Sequence, residues 1–157
     1  MLNTQFTDEL NQPFYMYRCP MFLLTASTVL IVENGVVMVE ENGIYRFPGG
    51  IVKAGQETIQ FAAVRYVKEQ TGVMLKKEAL IPVDYRSSPE RSKEGNLVDI
   101  GMVCMLNISH SSLVMPKGTK WIEVDFENKC VIKEKLEFYM DHNVLLERAM
   151  EIVLMMK

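Results

Sequence analysis

Residues Gly49–Gly72 read GGIVKAGQETIQFAAVRYVKEQTG, and this stretch decides the fold. The paired glycines follow Phe47-Pro48 and open a tight loop. From Ile59 to Thr71 the pattern is helical, with Ile59, Ala62, Ala63 and Tyr66 recurring on one small-residue face. Thr58 stands where an N-cap belongs and Gly72 where a left-handed residue ends a helix. Arg65 and Glu69 fall one turn apart. The pattern predicts a loop, a helix and a second loop.

Working outward, Met21–Val32 is rich in Leu, Val and Thr and reads as a buried strand. Glu33-Asn34-Gly35 is a turn, Val36–Val39 the returning hairpin strand, and Glu41-Asn42-Gly43 a second turn. Ile44–Phe47 leads into the glycine loop. Beyond the helix, Ala79–Asp84 and Leu97–Ile108 read as strands, separated by the polar loop RSSPERSKE at 86–94. His110–Thr119 is irregular and Trp121–Val124 short and extended. Asp141–Met156 is an amphipathic helix, with Leu145, Leu146, Ala149, Ile152, Val153 and Met156 on its apolar side. Strands around a central helix, with a second helix at the end, imply an α/β layered domain on a mixed β-sheet.

The 157 residues are enough for one domain over 1–157, with 1–16 a flexible or strand-forming N-terminal segment. A net charge of −3 leaves no basic footprint for a nucleic-acid partner. Cys19, Cys104 and Cys130 are odd in number and far apart, which fits reduced cytoplasmic thiols rather than a disulfide framework or a zinc site. The N-terminus lacks a signal-peptide core. The longest apolar run is broken by Thr25, Ser27 and Thr28, and is too short to span a bilayer. The twelve methionines read as adaptable core filler.

The residues Gly50, Glu57, Arg65, Val67, Glu69 and Gly72 resemble the Nudix box, G-x5-E-x7-R-E-U-x-E-E-x-G-U, where U is aliphatic. The resemblance covers nearly the whole chain and implies an α/β/α sandwich that holds a metal-bound pyrophosphate. It implies pairing of Glu57 with Arg65, phosphate contacts at Gly49 and Gly50, and metal ligation from the helix. The segment VDYRSSPERSKEGNLVDIGMVCML and the C-terminal FYMDHNVLLERAMEIV are similar to ADP-ribose-type members. So is the strand entry Tyr17-Arg18-Cys19-Pro20.

The chain departs from the box in two ways. Six residues rather than five separate Gly50 from Glu57. The other register, with Gln56 at the glutamate position, would put Val64 where arginine belongs, so an inserted residue is preferred. The three metal-binding glutamate positions hold Tyr66, Glu69 and Gln70. Mg²⁺ or Mn²⁺ would screen the phosphate oxygens and activate water. Such ions want carboxylate oxygens on a rigid element. Glu69 supplies one, Gln70 a neutral carbonyl and Tyr66 a poor ligand, so any metal is expected to bind weakly. Disturbing even the outer partners of a metal site costs about 10–100-fold, so losing two carboxylates is expected to cost roughly 10²–10⁴. No acidic residue between Asp99 and Trp121 replaces them.

Arg86, Arg91 and Lys93 offer phosphate contacts, arginine through its planar fork; the alternative is a solvated loop. Asp141 is expected to cap the last helix, with His142 packing or bonding locally. Tyr66 either fills the vacated metal space or stacks a base. Phe47 and Trp121 read as core, and Glu40 and Glu41 as residues beside a turn. Three functions follow: a pyrophosphohydrolase of ADP-ribose-like compounds, a binding module that has lost turnover, and an interaction protein without a small ligand. The expected partner is a small nucleotide ligand, with neither nucleic acid nor membrane; a homodimer stays open.

Overall fold

The structure, a computed structural model, describes residues 5–7, 13–15, 22–91, 97–132 and 135–157. Tyr17–Met21, with Cys19, and residues 92–96, with Lys93, lie outside them. In the N-terminal segment, β1 (Gln5–Thr7) and β2 (Pro13–Tyr15) pair antiparallel as a two-stranded sheet.

The main sheet grows from β3 (Leu23–Val32) and its hairpin partner β4 (Gly35–Glu41). Strand β3 then lies parallel to β8 (Leu97–Leu106) along its whole length, from Leu23 opposite Leu97 to Val32 opposite Leu106. The short β5 (Ile44–Arg46) pairs with β4, and β6 (Gly49–Ile51) with β3. The path is completed by β7 (Ile81–Arg86) beside β8 and β9 (Thr119–Asp125) beside β4. Two strands not foreseen, β10 (Cys130–Val131) and β11 (Glu137–Phe138), attach to β9 and, in parallel, to β5. Among the described residues this is a mixed sheet of nine strands.

Helix α1 (Ile59–Thr71) covers one face and α2 (His142–Met155) the other. Because side chains alternate along a strand, Ala26 and Leu30 of β3 pack with Ala62, Ala63 and Val67 of α1. Val29 and Ile31 face Leu145, Ala149 and Met150 of α2. Burial on both faces explains why β3 reads as a nearly unbroken apolar run. The α1 caps form as expected: Thr58 Oγ1 accepts from the Phe61 amide at 3.2 Å, and Gly72 takes the left-handed conformation, φ 77°. The edges differ by a few residues. Lys77–Ala79 is a 3₁₀ turn ahead of β7 rather than the start of a strand, and the polar loop holds another at Pro89–Arg91. No helix among the described residues is long and apolar enough to cross a membrane.

Candidate functional site

The loop between β6 and α1 is fixed by close contacts. A Cβ on Gly49 would lie 2.2 Å from the Ala26 carbonyl oxygen, and one on Gly50 2.5 Å from the Tyr66 ring. Both glycines are required because backbone and ring pass where a side chain would start. The additional loop residue is absorbed in a turn at Lys53–Glu57, where the Gln56 and Glu57 amides both donate to the Lys53 carbonyl.

Glu57 closes the loop onto the helix. Arg65 donates from Nε to Oε2 at 3.0 Å and from Nη2 to Oε1 at 2.6 Å, a two-pronged ion pair. The Lys53 amide donates to the same carboxylate. The Arg65 fork, with that amide, holds the Glu57 carboxyl down at about 2 and raises Arg65 in turn. Glu57, not Gln56, therefore meets the arginine.

The remaining helix positions are spent differently. The amide of Gln70 brackets Gly49: Oε1 accepts from Gly49 N at 3.0 Å, and Nε2 donates to Gly49 O at 3.0 Å. Oε1 accepts a second bond from Arg46 Nη1 at 3.1 Å. Tyr66 lies against Gly50 and donates its hydroxyl to the Ile51 carbonyl at 2.9 Å, with the Arg65 guanidinium 4.2 Å above its ring. Glu69 is left as the open carboxylate, 54% exposed and 3.5 Å from Arg65. Among the described residues no three His, Cys, Asp or Glu side chains gather as a metal would need. The helix offers Mg²⁺ or Mn²⁺ the carboxylate of Glu69, which fits an ion shared with substrate phosphates rather than one caged by the protein.

A cavity of about 560 Å³ opens on the α2 side of the sheet. Of the catalytic, metal and substrate-binding residues expected from the sequence, Gly49, Gly50 and Arg91 line it; Glu57, Arg65, Glu69, Gln70 and Arg86 do not. Its polar wall was not foreseen: Thr25 and Ser27 of β3, Asp99 of β8 and Glu41 of β4. Asp99 is 3% exposed, and its Oδ1 accepts from Thr25 Oγ1 at 2.7 Å and Ser27 Oγ at 2.9 Å. A lone carboxylate in LVDIGMVCML, with two hydroxyls spaced by two in LLTASTVLIV, was the available signal. Arg46 belongs to both regions, lining the cavity while bonding Gln70.

His142 lines the same cavity. Its Nδ1 accepts from the Phe47 amide at 2.9 Å, and its ring stacks on Phe47 with Tyr139 edge-on. Burial lowers it to about 4, against the opposing pull of Asp99 and Asp141. It is therefore neutral near pH 7, with the proton on Nε2 because Nδ1 is an acceptor. Phe47 is core, as expected.

Asp141 stands at the N-cap position of α2 but makes no capping bond. Its carboxylate instead accepts from Arg86 Nε at 2.8 Å and from Arg91 Nη2 at 2.7 Å. Burial pushes Asp141 up, yet the two arginines outweigh it and hold the group at about 2. Both sequence-selected arginines thus tie β7 and its following turn to α2.

Residues 21–124 match the family model described as NUDIX domain. An ADP-ribose pyrophosphatase of Methanocaldococcus jannaschii is 41% identical over 73 residues, 43% of this chain and 41% of that protein. The chain thus spans less than half the length of that relative. Among solved structures, a MutT/nudix family protein from Enterococcus faecalis superposes with TM-score 0.72 at 19% identity. That match covers 87% of this chain and 64% of that one. The NUDIX domain of Shewanella oneidensis NrtR, complexed with ADP ribose, gives TM-score 0.69 at 18% identity over 89% and 94% of the two chains.

Proposed function

The chain belongs to the Nudix family, and from that premise we propose that it binds a nucleoside diphosphate joined to a second group, of the ADP-ribose type, with weak or lost pyrophosphohydrolase activity. The α/β/α sandwich is the family's. The relative named as an ADP-ribose pyrophosphatase and the neighbour solved with ADP ribose support the ligand class. The cavity supports it in size, since small-molecule sites run to roughly 300–1,000 Å³.

Gln70 carries the reading of weak turnover. Where the box asks for a metal-binding glutamate, this side chain spends both ends on the backbone of Gly49 and accepts a further bond from Arg46. A carbonyl already accepting two hydrogen bonds has little left for a cation. Tyr66 is likewise committed to Ile51. Glu69 alone remains to meet Mg²⁺ or Mn²⁺, so a metal is held weakly and largely through substrate phosphates. Glu57 and Arg65 keep the loop in place. Gly49, Gly50 and Arg91 stand at the ligand; Arg86 acts through Asp141. The free thiols of Cys104 and Cys130 support a cytoplasmic setting, and the net charge of −3 gives no support to a nucleic-acid partner.

The second reading, a module with no turnover at all, is favoured by the same bonds of Gln70 and Tyr66. One assay separates the two. AMP or phosphate release is measured over a panel of nucleoside diphosphate derivatives with Mg²⁺ and then Mn²⁺. Weak activity predicts rates roughly 10²–10⁴ below an ordinary enzyme, abolished by Glu69→Gln. A pure binding module gives none. A turnover near the enzyme median of about 10 s⁻¹ that vanished in Glu69→Gln would overturn both.

A further inference from the structure

Asp99 presents an unusual arrangement for a buried carboxylate. Both of its donors, Thr25 Oγ1 and Ser27 Oγ, converge on Oδ1. Among the described residues no hydrogen bond reaches Oδ2, and the residue, 3% exposed, lies on the cavity wall. Oδ2 therefore keeps its acceptor capacity for a donor that enters the cavity. The register of the sheet fixes this acceptor. Thr25 stands directly opposite Asp99 in the β3–β8 pair, and Ser27 lies two residues on, on the same face.

His142 complements it. Its ring is held by the Phe47 amide at Nδ1 and by the stack on Phe47, which leaves Nε2–H as a donor on a cavity-lining residue. Asp99 and His142 line the same cavity and do not hydrogen-bond each other. The cavity therefore offers one fixed acceptor and one fixed donor, neither satisfied by the other. Apolar and aromatic groups, Leu23, Ile44, Tyr139 and Met140, line the same space and suit a flat ring.

We propose that Asp99 and His142 read the edge of a nucleobase that presents a hydrogen-bond donor beside an acceptor, Asp99 Oδ2 taking the donor and His142 Nε2–H meeting the acceptor. For an adenine base these are the exocyclic amine and an adjacent ring nitrogen. This rests on the nucleotide-binding reading above and names the groups that select its base. It assigns base recognition to the α2 side of the sheet, in the cavity whose wall at Gly49–Ile51 is bonded by Gln70 and Tyr66 of α1.

The experiment compares adenosine with purine riboside, which has the same rings and ribose but no exocyclic amine, by calorimetric titration. The wild-type protein is expected to bind adenosine at least about tenfold more tightly, the order expected for a lost hydrogen bond to a charged group. Asp99→Asn then reverses the pattern at one atom. Thr25 and Ser27 keep the amide oxygen at the Oδ1 place, so the new NH₂ faces the cavity and donates where Oδ2 accepted. The variant should lose adenosine affinity and hold purine riboside equally or better, with a melting temperature near that of the wild type.

Equal binding of the two nucleosides by the wild type would overturn the proposal whatever the variant does, so it does not depend on Asp99→Asn folding. ADP-ribose is titrated in parallel. If it binds while the two nucleosides do not differ, the base-reading pair is wrong and the nucleotide-binding reading stands. If neither ADP-ribose nor adenosine binds, both are wrong.

Discussion

The loop–helix unit on the α1 side and the cavity on the α2 side differ in how their polar groups are spent. Around α1 the hydrogen bonds close on the protein itself. Glu57 is taken by Arg65 and Lys53, Gln70 by Gly49 and Arg46, and Tyr66 by Ile51. On the α2 side, Asp99 and His142 line a cavity, and among the described residues no hydrogen bond is made by Asp99 Oδ2 or His142 Nε2. Polar groups closed on the protein hold a scaffold, whereas polar groups left open on a cavity wall are available to a ligand. On the reading proposed above, the helix acts mainly as scaffold in this chain and recognition falls to the other face.

Reopening the helix breaks this contrast most strongly. Tyr66→Glu with Gln70→Glu would place two carboxylates on the face of Glu69 and release Gly49 and Ile51 from their side-chain bonds. Mn²⁺ affinity is expected to rise by roughly 10²–10⁴, read by calorimetric or paramagnetic titration. No gain would mean that the loop, with its additional residue, and not the missing carboxylates, sets the metal deficit.

Next in size is the scaffold itself. Gly49→Ala would push a methyl group into the Ala26 carbonyl, and backbone cannot give way as a flexible side chain can. A loss of about 3 kcal/mol in chemical denaturation is expected. An unchanged midpoint would show that the loop is not anchored against β3.

The smallest of the three effects lies where both arginines meet Asp141. Breaking a buried pair costs about 3–5 kcal/mol and an exposed one about 0–1, and Asp141 is intermediate, so Asp141→Asn should cost about 2 kcal/mol near pH 7. Its folded value of about 2 lies below the ordinary 3.8. The carboxylate thus stabilises the fold fully above about pH 4, and this contribution disappears as pH falls towards 2. His142 acts in a different window. Its folded value of about 4 lies below 6.5, so the unfolded chain binds its proton first and stability already declines as pH drops from about 6.5 to 4. Urea midpoints across pH should show both declines in the wild type, and only the lower one reduced in Asp141→Asn.

What could be read from the sequence was what neighbouring residues decide. The caps at Thr58 and Gly72, the turn at Asn42-Gly43 and the face of α1 follow from local chemistry, whereas at the first hairpin the positive φ falls on Glu33 rather than on Asn34 or Gly35. The two-residue strands Cys130–Val131 and Glu137–Phe138 do not follow from local chemistry, because their existence depends on partners far along the chain, Glu137 on Ile44 among them. The same limit applies to the site. Arg91 was recognisable as a group seeking an oxyanion, but its partner Asp141 is 50 residues away. Asp99 was passed over because the hydroxyls that hold it, Thr25 and Ser27, lie more than 70 residues earlier. In the sequence the carbonyl of Gln70 reads as a ligand, while the amide of Gly49 that occupies it becomes visible only once the loop folds back.

The division between a self-satisfied helix and an open cavity is tested most directly by titrating ADP-ribose into the wild-type protein twice, once with EDTA and once with excess Mn²⁺. If recognition resides on the α2 side, the two dissociation constants agree to within about threefold. Binding that requires Mn²⁺, or tightens more than about tenfold with it, would place a working metal site on α1 and contradict the account.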